Sequence, residues 1–264
     1  MATSGTMLGA LGFTWDRSAV SRDIPRFSVE RAVWRFHRSL PEYVWDAAVL
    51  EGNPFTYPEV QTLLDGITVG GRKISDERQI LNLAEAASEL GRLVRTHDFR
   101  LSKEVSDRLQ FLLARDEELE SGHFRGEGRE TLTPGVSLGQ HGRYLPPATE
   151  HGGGNLRRIF SQGLEFLSTE IDDEFEQAVA YFLFGSLQQF YYDGDKRTAR
   201  YMMNGHLMSQ GMDAISVPAA RRHEFSTGMV DFFLRKNGTS MFGFLTSCRL
   251  AADDGILPPS VLSR

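Results

Sequence analysis

Apolar positions recur along most of this chain at spacings of three and four, the signature of helices that bury one face. The spacing predicts a helix over 29–38, with Val29, Val33, Trp34 and His37 on one side. Ser39-Leu-Pro-Glu42 reads as a capping box with Pro41 in the first turn. The helix it starts ends at Gly52, with Pro54 beyond. Val44, Ala47 and Ala48 form its apolar stripe, and the same spacing continues to Glu51. A carboxylate is thereby turned inward at a helix C-terminus, where the dipole disfavours it and a cationic partner is needed.

Further helices are predicted at 58–64, at 78–94 with Ile80, Leu83, Ala87, Leu90 and Val94 inward, and at 102–120 with Val105, Leu109, Leu112, Leu113 and Leu119 inward. Four more follow the same rule: 155–167, 175–187 capped by Asp172-Asp173, 197–210 stopping at Gly211, and 219–235. A last helix spans 239–250. Gly66-Ile-Thr-Val-Gly-Gly-Arg72 reads as a small hairpin about a glycine turn, the one β signal in the chain. From Gly122 to Gly154 the chain holds nine glycines, both ends included, and few apolar residues, a loop long enough to be functional or mobile. The pattern implies an all-α helical bundle with one small β-hairpin. It divides into an N-terminal helical extension at 1–38, a main domain at 39–250 and a tail at 251–264.

Composition narrows the function. With 29 basic and 35 acidic residues the net charge is −6, which argues against general nucleic-acid binding while leaving room for a local basic pocket. A single cysteine, Cys248, excludes an internal disulfide and a multi-cysteine zinc site, and its apolar surroundings mark it as a small buried hydrophobe. The start lacks a secretory leader pattern, and no run approaches the ~18 apolar residues of a membrane span. A cytoplasmic protein with no membrane partner is expected.

The densest chemistry lies in Gln189-Phe-Tyr-Tyr-Asp-Gly-Asp-Lys-Arg-Thr-Ala-Arg200. An acidic turn, Asp193-Gly194-Asp195, runs into a basic helix start at Lys196, Arg197 and Arg200. Unpaired N–H groups and the positive end of the helix dipole suit an anion there. Arg197 and Arg200 are three apart, so they share a face and can grip one polyphosphate. Asp193 is placed to hold a magnesium ion that bridges phosphate oxygens. The same residues also fit an ordinary turn, with Asp195 as N-cap and two solvated arginines.

Several features together resemble the Fic family, whose signature reads roughly H-x-F-x-D-G-N-G/K-R-x-x-R in a loop between two helices. Asp193, Gly194, Lys196, Arg197 and Arg200 match it, and Tyr191 stands at the phenylalanine. Ala47-Ala-Val-Leu-Glu51-Gly52-Asn53 is similar to the family's inhibitory helix, S/T-x-x-x-E-G/N, with Ala47 at the serine. Thr68, Val69, Gly70 and Gly71, followed by Arg72, resemble its target-docking flap. Gly122-x-Phe124-Arg125 and Tyr144-x-Pro146-Pro147 fit its middle region, so the likeness runs from about Ala47 to Arg235.

The resemblance implies a Fic fold with an inhibitory helix at 39–52, a flap at 66–73 and the Gly-rich loop at 122–154. It implies transfer of AMP from ATP to a target protein's hydroxyl group, with Mg²⁺ on Asp193. The nucleotide phosphates would lie against Gly194, Asp195, Lys196 and Thr198, with Arg197 and Arg200 holding the distal ones. Glu51, carried on the Glu51-Gly52-Asn53 turn, would pair with Arg200 and block the γ-phosphate. A protein target at the flap and a homo-oligomer are both compatible with that family.

Two departures matter. Gln189 stands where the family has the histidine that accepts the target's proton, and an amide cannot do so near neutral pH. General-base help of ~10²–10⁴-fold would be lost. Gln188 is no better, His123, His141 and His151 sit in the Gly-rich loop, and His206 lies well along the motif helix. Asp195 replaces asparagine, so it either sets a negative charge beside the phosphates or adds a metal ligand. Two outcomes are therefore expected: an autoinhibited, impaired AMP transferase, or a non-catalytic descendant that binds a nucleotide, a phosphate or a protein.

Overall fold

The structure is a computed structural model that describes residues 3–118 and 120–248. The tail at 251–264, Leu119 and Leu250 lie outside the described residues. Helix follows helix: α1 (Ser4–Leu11), α2 (Val29–Arg38), α3 (Leu40–Leu50), α4 (Tyr57–Leu64), α5 (Ile74–Arg95) and α6 (Lys103–Ala114). A two-stranded antiparallel hairpin, β1 (Val136–Ser137) and β2 (Arg143–Tyr144), pairs Val136 with Tyr144 and Ser137 with Arg143. Then come α7 (Gly154–Glu170), α8 (Glu174–Gln188), α9 (Asp195–Ser209), α10 (Arg222–Arg235) and α11 (Thr239–Ser247). Among the described residues, no helix is long and apolar enough to cross a membrane.

The centre is the pair α8 and α9. Their side chains are buried nearly all round, as expected of helices without a polar face. Asp173 caps α8 by accepting the Glu176 N–H at 2.8 Å. α9 packs against α8, α6, α5 and α2, while α3 lies on α5 and delivers the end of its stripe towards α9. Met202, Met203 and Met208 fill this core.

Residues 3–38 join the same core. α1 lies on α7, Phe13 meets Phe232 edge-on at 5.2 Å, and Trp15 stacks on Phe242 at 5.4 Å. The Trp15 indole N–H donates to the buried Glu176 at 2.8 Å, and Arg17 and Arg22 complete that carboxylate's partners at 2.7 and 3.0 Å. A buried glutamate is tolerated because every lone pair is claimed.

Three local expectations need correction. Ser39 does not close a capping box: with no linker between α2 and α3, its hydroxyl donates back to the Arg35 carbonyl at 2.7 Å. Residues 66–73 form no strand but a turn, since Arg72 is drawn away from any pairing into a fork on Glu59 at 2.6 and 2.9 Å. The hairpin lies instead in the Gly-rich loop, around the turn at 139–141. Finally, α6 ends at Ala114 and not at 120, because Glu117 and Glu118 leave the helical path to reach charged and N–H partners on the 189–200 segment.

Candidate functional site

α8 ends on Gln189, which takes a left-handed conformation (φ 50°) and turns the chain towards α9. Its side-chain N–H₂ donates to the Ser186 carbonyl at 2.7 Å, and its own carbonyl accepts from the Arg125 Nε at 2.6 Å. Arg125 is wholly buried and also donates to Pro147 O at 3.1 Å and to the Thr149 hydroxyl. One guanidinium thus ties the 189 turn to the far leg of the hairpin loop. Tyr192 ties the near leg, its hydroxyl donating to Glu130 O at 2.5 Å. At Gly126 (φ 82°) an added Cβ would come within 2.1 Å of the Glu150 carbonyl, so only glycine permits this approach.

The turn itself is braced from within. The Tyr191 N–H donates to the Asp195 Oδ1 at 3.0 Å, and the Asp195 side chain is buried. Burial pushes its carboxyl well above the usual range. The N-cap of α9 is Gly194 and not Asp195, whose carboxyl closes the turn from inside. The Tyr191 hydroxyl, absent from a phenylalanine, finds Ser106 at 2.7 Å and Asp107 at 2.9 Å on α6. Gly194 adopts φ 77° as N-cap of α9, a conformation that favours glycine.

Asp193 stays at the surface with 60 % of its side chain exposed, and its Oδ1 accepts from the Gly194 N–H at 2.6 Å. Arg197 is 3 % exposed and forks onto Glu117, with Nη1–Oε1 at 3.0 Å and Nη2–Oε2 at 2.6 Å. Burial opposes the charge on Arg197, but Glu117, Glu51 and Asp193 outweigh it and raise its pKa. Arg200 Nη2 donates to Glu51 Oε1 at 3.1 Å. Burial pushes the Glu51 carboxyl up, but Arg200, Arg197 and Lys196 pull harder and leave it below the usual value.

Even so, the basic helix start keeps unspent donors. Arg197 Nε, Arg200 Nη1 and the Thr198 hydroxyl are buried without hydrogen-bond partners. Such groups are costly unless a further acceptor completes them. Among the described residues no three His, Cys, Asp or Glu converge on a metal position. An ion such as Mg²⁺ takes one or two carboxylates and draws its remaining ligands from phosphate and water, and Asp193 is an exposed carboxylate at this turn.

No known family profile matches the chain. Relatives do. It is 24 % identical over 190 residues to a protein adenylyltransferase Fic from Aedes aegypti, covering 70 % of this chain and 35 % of that protein. It is 23 % identical over 186 residues to the protein adenylyltransferase fic-1 of Caenorhabditis elegans. This chain spans about a third of the length of such relatives. Among solved structures, C. elegans Fic-1 superposes with a TM-score of 0.65 at 17 % identity, over 88 % of this chain and 63 % of that one. A Fic-domain signalling protein from Bacteroides thetaiotaomicron gives 0.66 at 14 % identity, over 88 % of both chains.

The chain is a Fic-fold protein.

Within the Fic fold, Arg200 meets Glu51 at 3.1 Å and Arg197 meets Asp193 at 3.5 Å. Gly52 (φ 87°) ends α3, and Asn53 pins the turn by donating to Asp76 O at 2.9 Å and Gln79 at 3.0 Å. Thr68–Gly71 lie in the turn beside α4 and pair with no strand. Sequence reasoning missed Gln110, Glu117 and Glu118. Gln110 donates to the Asp193 carbonyl at 3.1 Å and accepts the Gly122 N–H at 2.5 Å. Glu118 Oε1 accepts the Tyr192 N–H at 3.1 Å, and burial pushes its carboxyl up to about 7. The acidic run at 116–118 is visible in the sequence, but its pairing across about eighty residues is not.

Proposed function

We propose that the Asp193–Arg200 turn binds ATP with Mg²⁺ in a protein AMP transferase of the Fic type, held down by Glu51 and limited in turnover by Gln189. The observation that carries this reading is the pair Arg197 and Arg200, buried at a helix N-terminus with spare N–H donors beside an exposed carboxylate. The curated relatives are named as adenylyltransferases, which supports the same chemistry.

Each residue then has a physical task. Asp193 would hold the metal, the arginines and the loop N–H groups would neutralise phosphate charge, and ATP when bound would supply the electrophilic phosphorus. Glu51 occupies Arg200 at 3.1 Å, where a terminal phosphate oxygen would otherwise bind. Gln189 spends its N–H₂ on Ser186 O, and its amide oxygen is too weakly basic to take the target's proton. The β1–β2 hairpin, whose legs are tied to the turn through Arg125 and Tyr192, is the docking edge for an extended target segment. A non-catalytic nucleotide binder is the second reading, and Gln189 is the residue that favours it.

Titration calorimetry with Mg·ATP tests the site. In a Glu51→Gly background, which frees Arg200, Arg200→Ala should weaken binding at least tenfold. Equal affinities would refute the placement of the nucleotide.

A further inference from the structure

Glu51 is not the only carboxylate on this site. Arg200 is taken by Glu51 from α3, Arg197 by Glu117 from the chain after α6, and the Tyr192 N–H by Glu118. Three of the anion-binding groups of the turn are thus each met by a side-chain carboxylate. The Glu117 contact is the tightest of them, a two-bond fork of the kind that guanidinium groups form with phosphate.

We infer that Glu117 and Glu118 form a second acidic stop, standing where phosphate oxygens sit on Arg197 and on the loop N–H groups, and acting independently of Glu51. The inference rests on the reading that this turn holds a polyphosphate. The two stops come from different elements: Glu51 caps the end of α3, whereas the Glu117–Glu118 segment follows the early end of α6, which packs on α9. Gln110 on α6 steadies the second one, donating to Glu118 while also holding the Asp193 carbonyl. Glu117 keeps 24 % of its side chain in solvent, so an incoming anion can displace it outward.

A polyphosphate reaching Arg197 has to break the fork and then lies beside a carboxylate of its own sign. Release of Glu51 alone therefore relieves Arg200 and leaves Arg197 blocked. A segment that merely held Arg197 in position would have the opposite effect, because its loss would let the guanidinium drift and weaken anion binding. The sign of the change separates the two.

The test is calorimetry with inorganic tripolyphosphate and, separately, with ATP, each with Mg²⁺. The proteins are wild type, Glu117→Gln, Glu117→Gln/Glu118→Gln, Glu51→Gly and the combination of all three substitutions. Glu165→Gln/Glu170→Gln, which removes two exposed acids elsewhere, controls for net charge. The Glu117/Glu118 variant should bind tripolyphosphate at least tenfold more tightly than wild type, and Glu51→Gly should add a further gain on top of it. The control should match wild type. If the double variant fails to keep its helical circular dichroism, Glu117→Gln alone carries the measurement and should tighten binding at least threefold. Unchanged or weaker tripolyphosphate binding in a folded Glu117 variant overturns the second stop. Tightened tripolyphosphate binding without ATP binding in any variant upholds the stop and overturns the nucleotide reading. Absence of binding of either probe by every variant overturns both.

Discussion

Glu51→Gly should make the protein less stable alone and more responsive to nucleotide. Arg200 is 5 % exposed, and Glu51 supplies its ion-pair partner at 3.1 Å. Breaking a buried pair by deleting one member costs about 3–5 kcal/mol. Glu51 keeps a fifth of its side chain in solvent, so water can reach part of the vacated position and about 2–3 kcal/mol is the better expectation. For a chain of this size each kcal/mol moves Tm by about 2–4 °C, so a fall of roughly 4–12 °C is expected. Mg·ATP should then restore more than it gives wild type, by RT ln(1 + [L]/Kd), about 2.7 kcal/mol at a hundredfold excess over Kd. Differential scanning fluorimetry with and without Mg·ATP measures both numbers. The pH dependence adds a check. Glu51's carboxyl is held below its ordinary value, so its stabilisation is fully present above about pH 4.3 and lost as pH falls through the lower folded value. The Tm advantage of wild type over Glu51→Gln should accordingly shrink only in acid. A Tm loss that Mg·ATP restores no better than in wild type would refute the lock at Arg200.

Three further outcomes are expected. Gln189→His combined with Glu51→Gly should gain self-modification by AMP, detectable as an added mass by mass spectrometry, whereas robust transfer by wild type would refute the role given to Gln189. Asp195→Asn should raise Tm near neutral pH, because burial lifts the aspartate's folded pKa, so its contribution is best below pH ~4 and is lost as pH rises; a gain that persists undiminished at pH 3 would contradict this cause. Arg125→Leu strips hydrogen bonds from Gln189 O, Pro147 O and Thr149 and should cost about 2–4 kcal/mol in urea unfolding, with protease sensitivity rising in 130–149; a loss under about 1 kcal/mol would mean these loops hold themselves.

The sequence by itself determined the local facts. Helix periods, the Gly52 stop, the inward stripe that ends in Glu51, and a Gly-containing turn feeding a basic helix all depend on neighbours within a few residues, and all recur in the structure. Only the tertiary structure decided what depends on distant partners. The hairpin forms at 136–144 and not at 66–73, because Glu59 captures Arg72 and Arg125 gathers the legs of the later loop. Asp195 turns inward because the Tyr191 N–H waits there and the surrounding packing leaves no solvent. α6 stops short because Arg197 and the Tyr192 N–H offer the next two glutamates more than another helical turn does. A helix period is written in the spacing of a few neighbouring side chains, whereas a carboxylate's choice of partner across eighty residues is settled only once burial has removed water as the competitor.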